Sequence, residues 1–295
     1  MEESIALEPI EIDSRTFLRQ HFKLPPLPEI ANKLQGIIYQ DNVELGVVAD
    51  LISGDPAILA QVLKVVNSAY FSLPQEITKV KMAIAYLGLN EISRIVLTLS
   101  VIDALDVTNQ EELNTFWHHS FYTALCAKHL AKEYAPHYSL DQLWPPAMLH
   151  DIGKLVYLKF FPKHYEALNT YHVTQGCLFS EAEKELGVPE SSYLGRLLCD
   201  HWRLPSGVAD ACECHTLEHL YDTQGGDATS MFKRVICVGN LLSLVNDNRL
   251  SAKTEKIIAG AIQEQMGWDE PRFLMNVADI YELREKVDDF LDQLG

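Results

Sequence analysis

Positive charge is scarce in this sequence: 24 Lys and Arg stand against 41 Asp and Glu, a net charge of −17 over 295 residues. Adhesion to nucleic acid or to an anionic membrane surface depends on clustered Lys and Arg, so that balance argues against both partners. Long apolar runs are missing as well. The longest, IVLTLSVIDAL at Ile95 to Leu105, falls far short of the roughly 20 residues that cross a bilayer, and no membrane-spanning helix is expected. The first residues, MEESIALEPIEID, are acidic where a secretory leader is basic, which predicts a cytoplasmic protein. Low-complexity tracts and fixed-period repeats are absent, and so is strand-like alternation.

Cysteine is present but forms no framework. Six residues, Cys126, Cys177, Cys199, Cys212, Cys214 and Cys237, lie in mostly apolar contexts, where free buried thiols are the default for a cytoplasmic chain. The cluster CDH (Cys199 to His201) and CECH (Cys212 to His215) holds soft ligands, but Cys212 and Cys214 on one helix point about 200° apart. That spacing argues against a zinc site there.

What the sequence does contain is helix punctuation. Asp55-Pro56 is an N-cap with proline at the first helical position, leading into an apolar stripe that includes Ile58, Leu59, Val62, Leu63, Val65 and Val66. Gly88 ends one helix and Asn90 caps the next, so a tight corner is expected between them. Ser180 with Glu183 has the spacing of a capping box. Pro145-Pro146, Leu204-Pro205 and Asp269-Glu270-Pro271 open or break further helices. Asn67-Ser68 reads as a left-handed helix end, and Tyr70, Phe71 and Trp202 are candidate surface aromatics. The fold class is all-α.

In AMLHDIGKLVY, Ala147 to Tyr157, an imidazole and a carboxylate stand side by side. Adjacent His150 and Asp151 can both reach one divalent cation where a helix breaks, and Gly153 is read as supplying that turn. Two groups do not hold a metal, so further ligands must come from elsewhere; without them Asp151 is a structural group, hydrogen-bonded locally or neutralised by Lys154, whose other reading is a phosphate ligand.

Three stretches together resemble the HDOD family, the HD-related output domains of bacterial signalling proteins. They are LPPLPEIANKL with DLISGDPAILAQVLKVVNSAYF (Asp50 to Phe71), FWHHSFYTALCAKHLA (Phe116 to Ala131) and AMLHDIGKLVY. The resemblance covers about residues 20 to 216. It implies an N-terminal helical layer (20–108) packed on a degenerate HD-like helical core (109–250), preceded by residues 1–19 and closed by C-terminal helices (251–295).

The related HD phosphohydrolases carry one His, then His-Asp, then a late Asp. Matched by position, the resemblance puts His119, His150 and Asp151 at the metal site, with the late Asp replaced by Asn240. Ser191 or Ser192 stands where another His is expected, while His215 is retained and Thr216 follows it. The Gly-Tyr-Pro signature of the cyclic-dinucleotide phosphodiesterase branch is absent. One carboxylate cannot balance two divalent ions in a buried pocket, so no cofactor is expected beyond a single weakly bound divalent metal. The implied function is a non-catalytic output or scaffold module contacting signalling proteins, with a homo-oligomer left open. The competing reading is a metal-dependent phosphohydrolase acting on a nucleotide or phosphodiester.

Overall fold

The computed structural model describes residues 9–10, 24, 26–37, 44–136, 140–223, 225, 227–245 and 248–294, and among them every regular element is a helix. In chain order these are α1 (Glu29–Ile37), α2 (Leu45–Ser53), α3 (Pro56–Asn67), α4 (Val80–Leu87), α5 (Leu89–Ala104), α6 (Gln110–Tyr134), α7 (Trp144–Leu149), α8 (Ile152–Phe160), α9 (Pro162–Gln175), α10 (Phe179–Glu185), α11 (Ser191–Trp202), α12 (Ser206–Glu213), α13 (Leu217–Leu220), α14 (Ala228–Val245), α15 (Ala252–Met266), α16 (Glu270–Tyr281) and α17 (Arg284–Leu294). The first five helices form a layer, in which α5 packs on α1, α3 and α4 and reaches across to α7. The second layer is organised on α6, which packs along α14, α7 and α17.

Local chemistry sets most helix starts. The Asp55 carboxylate accepts hydrogen bonds from the amides of Ala57 (3.1 Å) and Ile58 (3.2 Å), with Pro56 at the first helical position of α3. Asp269 caps α16 through the Arg272 amide at 2.9 Å, and Asn109 caps α6 through that of Glu112 at 3.2 Å. Gly88, at φ 84°, turns the chain through 119° between α4 and α5, the expected corner. Asn90 lies within the first turn of α5 and provides no side-chain cap.

Other local expectations are corrected. The box at α10 is shifted: Leu178 is the N-cap, and the Glu181 carboxylate accepts from its amide at 2.8 Å, whereas Glu183 is buried and accepts from the Ser191 amide. Ser68, which follows α3, has φ −69° and is extended. Asn67 instead fastens a distant loop, accepting from the Ile77 amide at 2.7 Å and donating to the Ile77 carbonyl at 2.8 Å. On α3 the buried face is Ile58, Val62, Val65 and Val66, with Leu59 and Leu63 only partly covered. Tyr70 and Trp202 are buried, Tyr70 edge-on to Trp144 at 4.8 Å, because the layers close over them.

One described helix, α14, is long and apolar enough to cross a membrane, and two sharply bent helix pairs satisfy the same test only if each is taken as one span. The apolar character of α14 has a local cause: it packs against α6 at the centre of the second layer, burying Val235, Ile236, Val238, Leu241 and Leu242. A Cβ at Gly239 would stand 2.9 Å from the Ala127 amide nitrogen, so glycine is what lets the two helices approach.

The C-terminal helix closes this layer. Phe290 of α17 stacks on Phe121 of α6 with ring centroids 3.9 Å apart, both rings essentially inaccessible. Truncating that ring removes buried aromatic area and leaves a cavity between α17 and α6. Phe290→Ala is expected to lower unfolding free energy by about 3–5 kcal/mol in chemical denaturation. A change under about half a kcal/mol would show that α17 does not seal the layer.

Candidate metal centre

Four elements converge on one carboxylate. The short α7 ends at Leu149, the chain turns through His150 in right-handed geometry and through Asp151 at φ −100°, ψ 13°, and α8 departs at Ile152. Gly153 therefore lies inside α8 and not at a turn, correcting the sequence reading. Its role is close approach: a Cβ there would fall 1.8 Å from the Ser191 carbonyl oxygen, so α8 and α11 touch backbone to backbone. That contact holds Ser191 and Ser192 buried at the start of α11, in the place expected of a histidine.

Asp151 is 2% exposed and His150 1%. Asp151 Oδ2 lies 2.6 Å from Lys154 Nζ, 3.2 Å from His119 Nε2 and 3.6 Å from His150 Nε2. Its Oδ1 lies 3.1 Å from His215 Nε2, yet satisfies no hydrogen-bond geometry with any described donor. His119 comes from the middle of α6, and His215 from the turn after α12. His118 turns away and lies 3.5 Å from Asp288 of α17.

The outward ring nitrogens decide what the inward ones can do. His150 Nδ1 donates to the Ala147 carbonyl at 2.7 Å, and His215 Nδ1 donates to that of Cys212 at 2.8 Å. Ser243 Oγ spends its proton on the Asn240 carbonyl at 2.7 Å, so at 3.4 Å from His119 Nδ1 it accepts. With Nδ1 carrying the proton on each neutral ring, all three Nε2 atoms present lone pairs inward. His119 Nε2 and His150 Nε2 face each other at 3.3 Å. Lone pairs and a carboxylate cannot converge without a cation or an added proton among them, and histidines oriented through backbone carbonyls are the usual outer support of a metal site.

Lys154 supplies part of that positive charge. Burial alone would push the Asp151 carboxyl up, but the Lys154 ammonium, together with any proton carried on the inward imidazole nitrogens, outweighs it and holds Asp151 well below the usual carboxylate range. Burial drives His150 the other way, to about 3, so the ring is neutral, with the field of Asp151 only partly opposing. Nearby Glu183 is pushed by burial up to about 8, partly offset by its bonds from Ser191, and so holds its proton near neutrality.

Of the residues the sequence singled out, His119, His150 and Asp151 come together with ligand atoms all within 4.8 Å of one another. His215 completes the ring around Asp151. Asn240 lies behind that ring: its side-chain amide donates to the His215 carbonyl at 2.9 Å, and its Oδ1 is buried without a hydrogen-bond partner. Lys154, read from sequence as a neutraliser of Asp151 or a phosphate ligand, is the Asp151 partner at the shortest distance. Cys199 and Cys212 do meet, Sγ to Sγ at 3.6 Å, but Cys212 donates to the Leu149 carbonyl and both stay free thiols. With Cys214 they form no ligand group among the described residues.

The HDOD domain profile matches residues 24–217, so the chain belongs to the HDOD family. Three solved structures share its architecture. An HDOD domain protein of unknown function from Geobacter sulfurreducens is 22% identical, with TM-score 0.70, covering 94% of this chain and 96% of that one. A protein from Shewanella amazonensis SB2B, named provisionally as a phosphohydrolase, is 20% identical, with TM-score 0.69 and 92% and 95% covered. A Marinobacter aquaeolei VT8 protein, named provisionally for signal transduction, is 18% identical, with TM-score 0.68 and 96% and 62% covered. At these identities the likeness is one of fold. An uncharacterized protein of Treponema pallidum (strain Nichols) is 23% identical over 192 residues, 65% of this chain but only 37% of that relative's length.

Two buried groups pull the pH dependence in opposite directions. His150, with its folded pKa depressed, contributes stability that is complete above its ordinary value of 6.5 and is lost as pH falls from there towards about 3. Glu183, with its folded pKa raised, contributes stability that is present below 4.5 and lost as pH rises towards about 8. In chelator-treated protein, His150→Gln should therefore gain on wild type below pH 6.5 by up to about 1.4 kcal/mol per pH unit in denaturant titrations. A difference that does not change with pH would show that His150 is not buried as a neutral ring.

Proposed function

We propose that this chain is a signal-transduction output module that acts through protein contacts, and that its HD-type core has become a non-catalytic, cation-pinned structural centre. The observation that carries the reading is the charge inventory around Asp151. It is the one ionised carboxylate in the converging group, and Lys154 Nζ already sits 2.6 Å from its Oδ2. Asn240 stands where the related enzymes carry the late Asp, and Glu183 holds its proton. Two divalent ions would leave most of their charge uncompensated here.

The donor set does fit one ion. Nε2 of His119 and His150 with Asp151 would hold a single divalent metal, which would supply Lewis-acid polarisation, with His215 Nε2 beside Asp151 Oδ1. The chain's own residues set the orientation and burial of that site. Lys154 competes with the ion for Asp151, so affinity is expected to be low. On this reading the chain works in the cytoplasm, its N-terminal layer ends near residue 108, and the core of 109–250 is closed by helices from 251 onward. The provisional phosphohydrolase name of the Shewanella protein favours the competing hydrolytic reading, which needs a better-charged site than this one.

The reading is tested by turnover. With added Mn²⁺, Mg²⁺ or Zn²⁺, phosphomonoesterase and phosphodiesterase rates should lie at least a thousandfold below the roughly 10 s⁻¹ typical of enzymes. Robust turnover abolished by Asp151→Ala would overturn it.

A further inference from the structure

Away from the His-Asp centre, a crevice of about 470 Å³ lies where the two layers meet, between α3, the end of α5, the start of α6 and Leu291 of α17. That volume is within the roughly 300–1,000 Å³ of small-molecule sites. On α6 its wall is Gln110, Leu113, Asn114 and Trp117, whose spacing of three and four residues puts them on one helix face. His119, two residues beyond Trp117, stands about 200° round the helix. The crevice and the His-Asp centre therefore use opposite sides of α6.

The lining joins apolar surface, from Ile102, Leu113, Trp117 and Leu291, to the polar groups of Gln61, Asp103 and Asp106. Asp106 is already engaged: Lys159 Nζ lies 2.9 Å from its carboxylate and 2.6 Å from its carbonyl oxygen. Asp103 is met by the Gln61 side-chain amide and by no cation among the described residues. The crevice walls crowd its carboxyl away from bulk water and push its pKa up, the bond from Gln61 lowers it, and the Asp55 carboxylate raises it again. Gln61 Oε1, in turn, is buried without a hydrogen-bond partner among the described residues. A carboxylate answered only by a neutral amide, and an amide oxygen answered by nothing, both call for an N–H donor that carries positive charge. Rotation about the last side-chain bond of Gln61 would offer its oxygen to that donor. A metal ion is a poor match, since calcium and magnesium take about six oxygen ligands and the crevice holds one uncommitted carboxylate beside apolar walls.

The geometry points to a binding site for an organic monocation, an ammonium on an apolar body, with the ammonium at Asp103 and Gln61 and the body against Leu113, Trp117 and Leu291. Trp117 brings an indole, the side-chain ring that best attracts a cation. A ligand held there joins α3 and α5 of the first layer to α6 and α17 of the second. The inference goes beyond the output-module reading and holds whether or not the His-Asp centre is silent.

The test is calorimetric titration of the full chain, treated with chelator, with phenethylammonium. Saturable binding is expected, with phenethyl alcohol, which keeps the body and lacks the charge, at least about tenfold weaker. Asp103→Asn should weaken binding of the ammonium by at least about tenfold. Asn114→Lys, which brings a tethered ammonium to the crevice, should do the same. Both positions are exposed, so neither change removes core packing. Asp50→Asn, an exposed loss of the same charge on α2, should bind as wild type. No saturable binding, alcohol bound as tightly as the ammonium, wild-type affinity in either crevice variant, or equal weakening in Asp50→Asn would overturn the site. Putrescine, a dication with no apolar end, should bind more weakly than phenethylammonium; tighter binding through Asp103 would overturn the assignment to a cation on an apolar body.

Discussion

A carboxylate taken almost wholly out of water has to be repaid in positive charge, and around Asp151 the second layer is arranged to do so. A lone ionised group in a protein interior costs several kcal/mol even after relaxation, so the fold is stable only if something cationic stays in contact with it. Lys154, one turn along α8, provides a tethered cation. The imidazoles from α6, α7 and the turn after α12 supply a ring of lone pairs that accepts either a proton or a metal. Gly153 follows from the same constraint: only without a Cβ can α8 lie against Ser191 and keep Asp151 beneath the surface.

On the proposed reading the cluster's inheritance and its present chemistry differ. His119, His150 and Asp151 converge closely enough to hold an ion, and the Nδ1 bonds of His150 and His215 to backbone carbonyls orient those two rings. The loss is in charge. Asn240 fills the volume of a carboxylate and turns its amide to the His215 carbonyl, supporting the loop where an acid would have faced the ion. Lys154 then has no competitor for Asp151 but a weakly held metal.

The all-α class was legible because helix starts are written in short-range chemistry, as at Asp55-Pro56, Asp269 and Gly88. The convergence of His119, His150 and Asp151 was legible through family resemblance. His215 was placed near the site by the resemblance alone, because nothing in CECH tells that the turn after α12 folds back over Asp151. Ser180 failed as a cap for a related reason: Glu181 competes for the same start with a better-placed carboxylate, and tertiary packing claims Glu183. Tyr70 and Trp202 misled because burial of an aromatic is decided by the neighbouring layer, which no local window contains. In α14 Asn240 and Ser243, both buried, interrupt the apolar stretch in sequence while facing the cluster's supports in space.

The account turns on one substitution and one ion. Asn240→Asp restores a second carboxylate behind His215 and removes the amide that supports that loop. Thermal melts of wild type and variant, each with chelator and with excess Zn²⁺ or Mn²⁺, separate the consequences, since an ion that binds only the folded state raises its melting temperature by mass action. The variant should melt lower than wild type in chelator, because two neighbouring buried carboxylates repel, and should gain more than wild type from the metal. A variant that melts like wild type under both conditions would contradict the placement of Asn240 at the cation centre and, with it, the charge argument for a silent core.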